Sequence, residues 1–137
     1  MSINYIVEGD GPWLTFSHSL ACNLHSWHEE ARRLSDHFKV LRFDTRGHGG
    51  SSAPAGAYTL DLLADDLHGL LQALGVRSTH FVGLSMGGMI GQTFALRYPD
   101  MLKSLVLCDT SSRFDLDVRE RIGIVEANGM EPMVAPT

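Results

Sequence analysis

The segment Gly83-Leu84-Ser85-Met86-Gly87 sets one serine between glycines two residues away on either side. That Gly-x-Ser-x-Gly spacing suits a serine lifted out of a tight strand-to-helix turn. Side chains at the flanking positions would collide where strand and helix converge, and glycine removes them. A hydroxyl at a helix start also meets the positive end of the helix dipole, which favours developing negative charge. The chemistry served is nucleophilic attack on a carbonyl carbon, with Ser85 as the candidate nucleophile. The bland alternative is a glycine-rich turn carrying a buried serine. Context separates the two: residues 80–84 read as a short apolar strand and residues 86–98 as a helix, the order such a turn demands.

Attack on a carbonyl creates an oxyanion that needs two N–H donors. One donor is the backbone of the residue after the nucleophile, Met86. The other comes from a loop after an earlier strand, here His18-Ser19-Leu20-Ala21, with Leu20 as the candidate. His18 reads as a residue that fixes this loop through hydrogen bonds. A second loop, Asp44-Thr45-Arg46-Gly47-His48-Gly49-Gly50-Ser51-Ser52, lacks the Gly-x-x-x-x-Gly-Lys spacing of a phosphate cradle. Asp44 and His48 find no third metal ligand nearby in sequence, so this loop reads as one pinned beside the site by Asp44 and Arg46. His25 and His28 lie one turn apart and also lack a third ligand, which favours a solvated helix face. No metal and no cofactor is expected.

The elements that position these residues alternate along the chain. Short apolar runs at 3–7, 13–16, 39–43, 80–84 and 104–108 read as five buried parallel strands. Helical patterns fall between them. Residues 24–36 put Trp27, Ala31 and Leu34 on one face, and residues 59–74 carry a leucine stripe that Gly75 stops. Residues 86–98 are apolar nearly all round and end before Pro99, which marks a helix buried against a sheet. This alternation gives an α/β fold with a mostly parallel sheet and helices on both faces. Residues 1–110 form the core unit. Residues 111–137 begin a helical cap, with Val118, Ile122 and Val125 marking its helix.

The chain has 137 residues, of which 44% are hydrophobic, and a net charge of −5. That composition fits one globular unit, and the acidic balance disfavours nucleic acid and anionic membranes as partners. No apolar stretch is long enough for a membrane span, and no signal pattern opens the chain. Cys22 and Cys108 are the only cysteines. Cys108 reads as a buried thiol, and the pair fits a reducing, cytoplasmic setting.

Taken together, residues 18–20, 24–27, 43–49 and 83–88 resemble the N-terminal half of the α/β-hydrolase superfamily, and within it the 3-oxoadipate enol-lactonase group and related esterases and lactonases. The resemblance covers residues 3–135. It implies a serine hydrolase that cleaves a carboxylic ester or lactone through an acyl-enzyme. An acyl-homoserine lactonase or a cofactor-free perhydrolase shares the scaffold, although Ala21 stands where perhydrolases usually carry proline. A dehalogenase or epoxide hydrolase of this fold needs aspartate in place of Ser85. A non-catalytic binding protein or an inert fragment is the alternative outside catalysis.

The superfamily orders its triad as serine, acid, histidine. The seven histidines are residues 18, 25, 28, 37, 48, 68 and 80, and none follows Ser85. The resemblance therefore implies that the base lies in polypeptide outside this sequence, and that a second polypeptide completes the fold. Asp109 ends the last strand, where some relatives place the acid. It reads alternatively as a loop anchor, with the acid one strand later.

Overall fold

Parallel neighbours need a long crossover between them, and three helical crossovers supply it here. The computed structural model describes residues 1–112 and Ala127. The cap helix expected around Val118, Ile122 and Val125, like the rest of the 111–137 cap beyond residue 112, lies outside the described residues apart from Ala127. The strands are β1 (Tyr5–Glu8), β2 (Trp13–Ser17), β3 (Lys39–Phe43), β4 (Thr79–Leu84) and β5 (Leu102–Cys108). They form one sheet in the order β1-β3-β2-β4-β5. The helices α1 (His28–Leu34), α2 (Leu60–Ala73) and α3 (Met86–Arg97) connect β2 to β3, β3 to β4 and β4 to β5.

Four strands are parallel, but β1 pairs antiparallel with β3, with Tyr5 opposite Phe43 and Glu8 opposite Val40. The expectation of five parallel strands is corrected at β1. Only residues 9–12 separate β1 from β2, far too few for a crossover, so the chain must reverse. Gly9 (φ +85°) and Gly11 (φ +128°) make the reversal.

Successive residues of a strand face opposite sides of the sheet, which explains the two cores. Val40 joins Leu14, Phe16 and Ala31 on the α1 side. Leu41 and Phe43 join Leu67, Leu71, Phe81 and Phe94 on the α2 and α3 side. The helix expected over 24–36 splits in two. Leu24–Trp27 forms a 3₁₀ turn capped by the Asn23 side chain, and α1 follows it. Trp27, Ala31 and Leu34 still pack on one core, with the Phe16 and Trp27 rings stacked at 4.6 Å. On α2, the Thr59 hydroxyl accepts from Leu62 N–H and caps the helix.

The strand β5 is not buried as expected. Val106 and Leu107 are 49% and 43% exposed, and Cys108 is half-buried rather than buried. The reason is position: β5 pairs with β4 and has no outer neighbour among the described residues. No helix among those residues is long and apolar enough to cross a membrane.

Candidate active site

Ligands of open α/β sheets bind beyond the carboxyl ends of the strands, and the candidate residues gather there. Ser85 leaves β4 at φ +53° and ψ −112°, outside the comfortable range of an L-residue, and Met86 opens α3. Hydrogen bonds hold that backbone from three sides. Ser85 N–H donates to Cys108 C=O (2.9 Å), Gly88 N–H donates to Ser85 C=O (3.0 Å), and Thr110 Oγ1 donates to the same carbonyl (2.6 Å). The residue itself is exposed. The glycines act by close approach. A Cβ on Gly83 would lie 2.6 Å from Gly88 N, and one on Gly87 would lie 2.9 Å from the His18 carbonyl oxygen.

The second loop approaches from β2. Cys22 N–H donates to Ser19 C=O (3.1 Å), which closes a turn with Leu20 and Ala21 at its centre. Ala21 sits at φ +61°, the sign a type II turn requires at that position. Among the described residues neither the Leu20 N–H nor the Met86 N–H has an acceptor. Met86 is the first residue of its helix, where no intrahelical acceptor exists. Leu20 and Met86 both line one cleft of about 560 Å³, together with Arg46, His48, Tyr58 and Leu63.

His18 is fully buried beneath this loop. Its Nε2 accepts from Thr45 N–H (3.0 Å) and its Nδ1 faces Ser19 C=O (2.8 Å), which fixes the proton on Nδ1. Burial holds its pKa below the ordinary histidine value, and nearby His48 adds to that while the Ser19 hydrogen bond and Asp44 oppose it. His18 is thus neutral at pH 7 and anchors the loop, as expected. Asp44 is equally committed. It accepts from Leu24 N–H (2.8 Å), Asn4 Nδ2 (2.8 Å) and Gly50 N–H (2.9 Å). Burial pushes its carboxyl up, but the Asn4, Gly50 and Leu24 hydrogen bonds outweigh that and hold it below the usual range. Arg46 makes a two-pronged ion pair with Asp66 of α2, both contacts at 2.7 Å. Asp44 and Arg46 therefore pin the loop, as the sequence led us to expect.

The remaining candidates divide. Asp109 is exposed, lies at φ +41°, and directly follows Cys108, whose carbonyl holds Ser85. His25 and His28 are exposed on the helix surface, and His80 bonds Ser104 at the sheet edge through Nδ1 (2.7 Å). Among the described residues no three His, Cys, Asp or Glu side chains converge as metal ligands. Sequence reasoning did not find Tyr58, Leu60, Leu63 or Thr93 as cleft residues. Nothing in their types marks them, because only the packing of α2 and α3 brings them to Leu20.

A family model described as the alpha/beta hydrolase fold matches residues 12–125. The chain belongs to the alpha/beta hydrolase family. Its relatives include 3-oxoadipate enol-lactonase 2 of Acinetobacter baylyi, 34% identical over 97% of this chain and 51% of the relative. Fluoroacetate dehalogenase of a Burkholderia species is 39% identical over 80% of this chain and 38% of the relative. The solved enol-lactonase of Burkholderia xenovorans superposes with a TM-score of 0.89 at 38% identity, over 96% of this chain and 53% of that one. The chain thus spans about half the length of the hydrolases it matches, or less.

Proposed function

We propose that the completed protein is a serine hydrolase of carboxylic esters or lactones. Ser85 Oγ attacks the carbonyl carbon and passes its proton to a histidine base. The Leu20 and Met86 N–H groups receive the negative charge that develops on the carbonyl oxygen. Collapse breaks the carbon–oxygen bond, and the protonated histidine gives its proton to the leaving oxygen. In a lactone that oxygen stays tethered to the acyl group. Water, activated by the same histidine, then releases the acid and frees Ser85.

The observation that carries this reading is the strained Ser85 backbone at the start of α3, with two N–H groups lacking acceptors, those of Leu20 and Met86, on residues that line one cleft. The similarity to two enol-lactonases supports a lactone or ester as the substrate class. Serine at position 85 weighs against dehalogenation, for which this fold uses aspartate. The base is a histidine from the polypeptide that completes the fold. Asp109 is the candidate acid within this chain. No part of the reading needs a cofactor, and the free thiols Cys22 and Cys108 suit a cytoplasmic setting.

The test uses the completed protein and a fluorophosphonate probe. The probe should label Ser85 covalently. Ser85→Ala should abolish labelling and lower p-nitrophenyl acetate turnover by about 10⁴-fold or more, with folding intact. Retention of most turnover by Ser85→Ala would show that the serine is not the nucleophile.

A further inference from the structure

His48 belongs to the glycine-rich loop after β3, which the serine reading leaves without a chemical task. Its ring is tied at both nitrogens. Nδ1 lies 3.1 Å from Arg46 C=O, and Nε2 accepts the Ala21 N–H at 3.1 Å. A carbonyl accepts and an N–H donates, so the two partners together select the neutral ring with its proton on Nδ1. The Ala21 N–H belongs to the central peptide of the Ser19–Cys22 turn, the peptide that joins Leu20 to Ala21. That peptide is in an unusual state, because Ala21 carries a side chain at φ +61°. The left-handed region is unfavourable for a residue with a Cβ. Something must hold the peptide flipped, and His48 Nε2 is the side-chain acceptor placed to do so.

The loop that carries His48 is itself stiff. His48 N–H donates to Thr45 C=O (2.9 Å), and its ring lies 5.1 Å from the buried His18 ring. Arg46, whose carbonyl holds Nδ1, is clamped to Asp66 of α2. A continuous path runs from α2 through Asp66, Arg46 and His48 to the Leu20–Ala21 peptide. His48 also lines the cleft beside Leu20.

We infer that His48 is the positioning residue of the oxyanion loop: it locks the Leu20–Ala21 peptide in its flipped state and so aims the Leu20 N–H at the cleft. The inference rests on the serine hydrolase reading for its consequence in catalysis. Without an acceptor at position 48, Ala21 relaxes out of the left-handed region and the turn carries Leu20 with it. The loss then appears where oxyanion stabilisation is used, in kcat and in the rate of phosphonylation, and not in substrate binding.

The experiment compares His48→Leu with His48→Gln in the completed protein, using p-nitrophenyl acetate turnover and the rate of fluorophosphonate labelling. Leucine removes the acceptor, whereas the glutamine amide oxygen restores one. His48→Leu should lose about 10- to 100-fold in kcat and in labelling rate, with KM within about twofold. His48→Gln should recover most of both rates. A melting midpoint for each variant separates this effect from unfolding, and normalisation to labelled sites removes any unfolded fraction. The inference fails if His48→Leu keeps its kcat, if the loss lies in KM, or if His48→Gln is as slow as His48→Leu. Ser85→Ala is run alongside. Turnover lost by Ser85→Ala but kept by His48→Leu sinks this inference alone, and turnover kept by Ser85→Ala sinks the serine reading and this inference with it.

Discussion

The buried His18 ring, the half-buried His48 ring and the Asp44 carboxylate carry the order of the site at the scale of single residues. His18 shows how burial turns into a pH dependence. In the folded protein its pKa lies below the ordinary value of about 6.5, chiefly through burial. The unfolded chain therefore binds more protons than the folded one as pH falls through that value. Stability rises with pH wherever this holds, so the contribution of neutral His18 is complete above about pH 6.5 and is lost progressively below it. The Asp44 pKa is lowered as well, below the usual carboxylate range, so its contribution fades only in stronger acid. Wild type should accordingly lose melting temperature between pH 7 and 5.5. His18→Gln, which keeps an acceptor for Thr45 N–H, should be less stable at pH 7 and nearly flat across that interval. Equal slopes for the two proteins would remove His18 as the cause.

The elements were legible to the degree that their local pattern and their tertiary surroundings agree. The leucine stripe of α2 predicted its buried face, and Leu63, Leu67, Leu70 and Leu71 are buried there. Ser85 was legible because a strand, two glycines and a helix all bear on one residue. The direction of β1 was readable in principle from the short link at residues 9–12, but its apolar run looks like any parallel strand. The exposure of β5 was not readable, since the run Leu105-Val106-Leu107 has the same composition whether or not a neighbour covers it. The Ala21 conformation was invisible, because alanine gives no sign of a left-handed turn, and the role of His48 was hidden with it. The α2 stripe supplies the element-scale prediction. Leu71 is fully buried between α2 and the sheet, whereas Leu96 on α3 is 86% exposed. Leu71→Ala should destabilise the protein by about 2–5 kcal/mol in denaturant unfolding. Leu96→Ala should stay within about 0.5 kcal/mol of wild type. Similar losses for the two would contradict the packing of α2 and α3 described above.

At the scale of the whole molecule, β5 is an edge strand among the described residues, and its last residue, Cys108, accepts the Ser85 N–H. The proposed nucleophile and both candidate oxyanion donors precede residue 90, and no histidine follows Ser85 in this sequence. Outside β5, Val106 and Leu107 present apolar surface, and the β5 backbone meets no outer strand among the described residues. An open, partly apolar edge of this kind recruits other chains. The enol-lactonases that the chain resembles are about twice its length. From these observations residues 1–137 expressed alone should be poorly soluble and unreactive towards fluorophosphonates. On the proposed reading, co-expression with a polypeptide that completes the fold should restore solubility and labelling together, because one packing event would cover β5 and bring the proposed histidine base to Ser85. Sedimentation and active-site labelling of the two preparations measure both outcomes. A soluble, monomeric 137-residue protein that hydrolyses a simple ester would overturn this account. One of the seven upstream histidines would then have to reach Ser85, which neither His18, committed to Thr45 and Ser19, nor His48, committed to Ala21 and Arg46, can do without giving up its present partners.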